Sequence, residues 1–181
     1  MNEDDKVKIS AGRGVALGFA CSLSITNAAD NLRFSGALVA EPCVIPTGQE
    51  VVTLDFGSVV DKDLYLNQRT PAVPFDINLI ECDVSLGAAL TLTFLGNESR
   101  SLPGYLALTA GSRAGGVAIG LENADGKMLP LNKQGDKINL APGNNRIGLR
   151  AFLQGEPQAL KNKTISRGEF SAALTFGLDY Q

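Results

Sequence analysis

Residues able to do chemistry are few and thinly spread. Cys21, Cys43 and Cys82 carry the only thiols, and the 181 residues contain no histidine. Histidine is the commonest general base and the commonest metal ligand, so its absence closes the usual routes to acid–base catalysis and to a metal centre. Gly111-Ser112-Arg113-Ala114-Gly115-Gly116 has the glycine content of a phosphate loop. It lacks the Gly-Lys-Ser/Thr ending and leads into a strand pattern, so it reads as a turn. Asp61-Lys62-Asp63 is too sparse for a calcium loop, while Asp76, Glu81 and Asp83 read as solvated strand positions. Asn97-Glu98-Ser99 and Asn162-Lys163-Thr164 match the glycosylation triplet, which matters only in a eukaryotic secretory pathway. The expectation is a chain without enzymatic activity, cofactor or metal.

What the remaining cysteines do depends on compartment. Lys6, Lys8 and Arg13 precede an apolar run from Val15 to Ile25, followed by Thr26-Asn27-Ala28-Ala29, small residues of the kind a signal peptidase cuts beside. The run is too short to span a bilayer. Residues 1–29 read as a signal peptide cleaved after Ala28 or Ala29; the other reading is a buried first strand or helix. Nothing else in the chain reads as a membrane span. Cys21 leaves with that peptide, and the exported chain keeps Cys43 and Cys82. Two cysteines in an oxidising compartment predict one disulfide. In a chain kept inside the cell they would be buried thiols.

The elements that position these residues read as strands. The last stretch is the clearest: Phe170, Ala172, Leu174, Phe176, Leu178 and Tyr180 recur at a period of two, up to Gln181. One apolar face demands a core, and an unpaired edge beside it would template aggregation, so the missing neighbour is expected from another protein; the other reading of this stretch alone is the last strand of an ordinary sandwich. Asp30 to Val39 alternates too, with Leu32, Phe34, Gly36 and Leu38 on one face. A glycine in that row gives a core nothing and suits a place where another surface comes close. Further strands are expected at Val51–Gly57, with Val52, Leu54 and Phe56 inward, and at Phe75–Cys82, Ala89–Gly96, Tyr105–Thr109, Val117–Glu122, Met128–Leu131 and Arg146–Leu153. Ala124-Asp125-Gly126-Lys127 reads as a tight turn, and Lys62–Thr70 as a polar loop. Short strands at this spacing, without convincing helices, predict an all-β, immunoglobulin-like sandwich of one exported domain. A net charge of −3 gives no case for nucleic acid or an anionic membrane.

Both ends of the exported chain resemble a subunit of a bacterial chaperone–usher pilus, over nearly all of residues 30–181. The resemblance rests on the alternating N-terminal segment with Gly36, the pair Cys43 and Cys82, Gly168 fourteenth from the end, and penultimate Tyr180. The middle resembles the PapK-type tip adaptor of P pili, through Leu92-Thr93-Phe94-Leu95-Gly96, Leu102-Pro103-Gly104-Tyr105-Leu106 and Pro157-Gln158-Ala159-Leu160-Lys161. The acidic Asn2-Glu3-Asp4-Asp5 opening departs from the usual signal-peptide pattern. The resemblance implies a pilin domain over residues 41–181 that lacks its final strand. A periplasmic chaperone strand would fill the groove beside Gly168 and Phe170–Tyr180 and hold the carboxylate of Gln181. At the outer-membrane usher, the extension of the next pilin would replace it. Residues 30–40, through Leu32, Phe34, Gly36 and Leu38, would be the donor for the subunit ahead. The implied role is a minor or adaptor subunit of an adhesive fimbria on the cell surface. The alternatives are a main shaft pilin, or a self-contained secreted sandwich that binds sugar or protein through its loops.

Overall fold

Neighbouring side chains on an extended chain face opposite ways, and the protein sorts its alternating segments into two sheets with their apolar faces together. The computed structural model describes Ser35, Gly36, Leu38 and residues 40–181. In chain order the elements are α1 (Asp61–Asn67), β1 (Val73–Cys82), β2 (Ala89–Leu95), β3 (Val117–Asn123), β4 (Gln134–Asn139), β5 (Gly143–Gly155), α2 (Pro157–Asn162) and β6 (Thr175–Tyr180). One three-stranded sheet runs β1-β5-β3 and the other β4-β2-β6, with every pairing antiparallel. Val39–Gln181 forms one compact unit.

The core lies between the sheets. Ile77 and Leu79 of β1, Leu90, Leu92 and Phe94 of β2, Ile119 and Leu121 of β3, and Ile147 and Leu149 of β5 are all buried in one cluster. The register puts Ile77 opposite Ile147 and Leu121 opposite Ala151, so apolar side chains meet across the strands at the centre of the inner face. β3 is buried on its outer face as well. Gly120 pairs with Phe152, and a Cβ on Gly120 would stand 2.4 Å from the Phe152 ring; only glycine fits there. Tyr105 meets Phe152 edge-on, and the Arg69 guanidinium lies over its ring at 3.5 Å. Beside them the buried Glu122 carboxylate takes a hydrogen bond from Arg69 at 3.1 Å and pairs with Arg150 Nε at 3.2 Å. A buried carboxylate held by two guanidiniums is satisfied where a lone one would be costly.

Several expectations shift. Residues 62–70 are not a loop throughout: α1 forms there because Leu64 buries itself against Val117 and Leu153, and Asp61 and Asp63 favour the first turn. α2 begins at Pro157, whose fixed φ suits a first helical position, and buries Ala159. β4 was not expected, since only Ile138 offers an apolar contact; its ladder to β2 carries it instead. Tyr105–Thr109 and Met128–Leu131 shrink to isolated bridges, Leu106 with Glu98 and Ile119 and Met128 with Glu122. The turn at residues 124–127 stands as read, with the Asn123 carboxamide oxygen accepting from the Asp125 and Lys127 amides.

Cys43 and Cys82 are joined in a disulfide, both side chains buried. Around it Val44 and Ile80 exchange two backbone hydrogen bonds, and the Asp83 amide donates to the Pro42 carbonyl. The segment entering the domain is thus stitched to the end of β1. The bond closes a loop with a sequence separation of 39. Replacing both cysteines by alanine is expected to lower the unfolding free energy by about 4 kcal/mol through the released loop entropy. Urea unfolding measures this; a loss below about 1 kcal/mol would show that the backbone pairing alone holds the segment.

Candidate functional site: an open groove between the sheets

The sandwich does not close along one side. A groove of about 760 Å³ runs between residues 50–56 and residues 170–176, floored by Phe75, Ile77, Phe94, Leu106, Ile119 and Leu121. An engineered core cavity of about 150 Å³ already admits a benzene molecule, so this space takes several large side chains. Among the described residues, Glu50 is the only ionisable one on its lining. The surface is therefore built for apolar, uncharged side chains.

The far wall is the chain's last segment. From Phe170 to Tyr180 every second side chain is half-buried and none is fully buried, whereas Ser171, Ala173, Thr175 and Asp179 are exposed. The expected alternation is present, but the ladder is shorter than read. β6 pairs with β2 from Leu95–Thr175 to Leu90–Tyr180, and Gln181 continues it by exchanging two bonds with Ala89. Upstream of Thr175 the segment leaves β2, whose next amide, that of Gly96, donates to the Asn132 side chain instead. β6 lies at the edge of its sheet, and its other edge faces the groove. Burial pushes the Tyr180 phenol above its ordinary value, with the Glu41 carboxylate adding to the effect.

The near wall was expected as a strand over Val51–Gly57. Leu54 and Phe56 are half-buried, but Val52 is exposed and no ladder forms among the described residues. Among the described residues, no backbone–backbone hydrogen bond involves residues 50–59 or residues 172–174. A strand needs a neighbour to become a ladder, and here both walls face the same empty space. The rings of Phe56 and Phe170 meet across one end, with centroids 6.0 Å apart.

Of the residues read as donor strand, Leu32 and Phe34 lie outside the described residues. Gly36 and Leu38 are exposed. From sequence, the floor residues Phe75 and Ile77 read as strand and not as site. Their alternation gave the only signal, and it does not distinguish a floor from a core.

Gly168 opens the far wall and has a structural reason to be glycine. Its φ is +147°, and an added Cβ would lie 2.5 Å from Arg113 Cβ. Gly168→Ala combines an unfavourable backbone with a clash against the loop that carries Arg113 and Ala114. It is expected to cost roughly 1–3 kcal/mol in urea unfolding. A substitution without measurable cost would mean that the loop yields freely.

Comparison with known proteins gives the groove a context. Residues 32–181 match the fimbrial protein family. The chain is 34% identical to the fimbrial-like protein YfcP of Escherichia coli K12, over 97% of this chain and 99% of that one. It is 32% identical to the fimbrial adapter PapK of Escherichia coli, over 93% and 97%. Among solved structures, the P pilus rod subunit PapA superposes with a TM-score of 0.67 at 25% identity, over 78% of this chain and 100% of that one. With two antiparallel sheets, a disulfide at Cys43–Cys82 and this match over residues 32–181, the chain belongs to the fimbrial protein family.

Proposed function

We propose that this protein is a minor, adaptor-type subunit of a chaperone–usher fimbria at the cell surface, assembled by donor-strand exchange. The observation that carries the reading is the groove between residues 50–56 and 170–176, with apolar floor and unladdered walls. An extended segment of seven residues spans about 23 Å at the usual rise, so the groove matches one inserted strand. Such a strand gains affinity from main-chain hydrogen bonds and specificity from alternate side chains in pockets. In the cell a periplasmic chaperone strand fills the groove first and engages the Gln181 carboxylate; at the usher the extension of another pilin replaces it. Similarity to the adapter PapK favours the adaptor place over the shaft.

In this reading residues 30–40 are the chain's own donor strand, with Leu32, Phe34 and Leu38 in pockets of the preceding subunit and Gly36 over a constriction. Synthetic peptides of residues 30–40 are mixed with the chaperone-bound preceding subunit and exchange is followed on a gel. Gly36→Leu is expected to slow exchange at least tenfold, since overpacking a tight site costs roughly 1–3 kcal/mol. Arg33→Ala should exchange as the wild type does. Equal exchange by the wild-type and Gly36→Leu peptides would remove the donor role from this segment. Uptake of the same wild-type peptide by this chain's own groove would favour the shaft reading.

A further inference from the structure

The far wall of the groove is held by different partners along its length. From Thr175 to Gln181 the partner is β2. Further upstream it is the loop 109–114. The Thr109 amide donates to the Ser171 carbonyl at 2.8 Å, and the Arg113 and Ala114 amides donate to the Glu169 carbonyl at 2.8 and 3.2 Å. Hydroxyls complete the attachment. Ser112 Oγ accepts from the Ser171 amide at 3.1 Å and donates to the Ser171 carbonyl at 3.2 Å, while Thr109 Oγ1 lies 2.7 Å from Ser171 Oγ. Ser112 thus meets both main-chain groups of Ser171, as a residue on a neighbouring strand would.

The geometry has a parity. On a strand the N–H and C=O of one residue point to one side, and those of the next residue to the other. Glu169 and Ser171 turn theirs toward the loop, and Gln181 turns its own toward Ala89 of β2. All three are odd-numbered and bond away from the groove. Even-numbered residues therefore present their main-chain groups to the open edge, and their side chains are the half-buried row that begins at Phe170. Phe170, Ala172 and Leu174 also pack against the core, but among the described residues the loop supplies the only hydrogen bonds to the main chain of residues 170–174.

We propose that Thr109, Ser112 and Ser171 form a polar clasp that sets the hydrogen-bonding register of the acceptor edge, so that an incoming strand pairs with Phe170, Ala172 and Leu174 in continuity with β6. These are positioning residues, and the proposal rests on the donor-strand reading. Ser112 touches no donor; it presents the wall to one.

The test uses the full exported chain bound to its chaperone, with peptides spanning the N-terminal extensions of this chain and of its partner subunits as donors. Ser112→Ala is expected to slow peptide uptake about fivefold, with Ser112→Thr restoring most of the rate by returning the hydroxyl. A loss of that size corresponds to roughly 1 kcal/mol, the net worth of a typical hydrogen bond. Amide hydrogen exchange of the peptide-filled subunit supplies the second readout. In the wild type the Ala172 and Leu174 amides become protected together with those of Phe176 and Leu178. In Ser112→Ala, protection is lost at Ala172 and Leu174 and kept at Phe176 and Leu178. Ser101→Ala, at an exposed serine whose hydroxyl makes no hydrogen bond among the described residues, serves as the control. Unchanged uptake and protection in Ser112→Ala overturns the clasp, as does a loss spread equally over Phe176 and Leu178, which would mark general destabilisation. A wild-type complex that takes up none of the peptides ends the donor-strand reading, and the clasp's role with it.

Discussion

The structure turns on one unmet requirement of backbone chemistry. Each main-chain amide and carbonyl shut away from water needs a partner, and the edge of β6 faces an apolar groove where no partner is supplied by the described residues. Beside that edge stands a row of aromatic and aliphatic side chains, half-buried against a floor of core residues. A natural edge strand is usually blunted by charge, proline or a covering loop. Here the edge carries none of these over Phe176–Leu178, and the opposite wall forms no ladder among the described residues. One inserted strand would satisfy both walls and the floor together.

The rest of the fold keeps that vacancy in shape. Buried Phe152, in the slot left by Gly120, and the pairing of Glu122 with Arg69 and Arg150 stiffen the β1-β5-β3 sheet from outside. The disulfide pins the entering chain to the end of β1, at the point where the register shifts and Glu81 adopts a left-handed φ of 55°. The loop 109–114 holds the upstream half of the far wall, and β2 the downstream half. A groove framed in this way does not need to be built by its occupant, which lowers the ordering cost of strand insertion.

Much of this was legible in the sequence because strands announce themselves by period. Phe170 to Tyr180 and Ala89 to Leu95 alternate so strictly that their elements and inward faces were plain. The cysteine pair followed from counting and compartment. What escaped depended on long-range context. α1 is seven residues long and exists because Leu64 reaches Val117 and Leu153, far away in sequence. β4 has almost no apolar pattern and borrows its order from β2. Val51–Gly57 has the composition of a strand, and failed to form a ladder because its neighbour is absent from the described residues. The roles of Ser112 and Ser171 left no trace in the sequence, since serines in a glycine-rich turn look alike whether or not they meet a strand.

The central claim is that this chain's sandwich is thermodynamically unfinished without a strand from outside it. Equilibrium unfolding of residues 30–181, alone and with a donor-type strand fused after Gln181 through a short turn, tests it most directly. The account predicts that the fused protein is a monomer with one cooperative transition, whereas the strand-free chain self-associates and lacks such a transition. Each large side chain left in the open groove forgoes roughly 1.5–3 kcal/mol of burial. A strand-free monomer that unfolds cooperatively, with the stability of the fused protein, would contradict it.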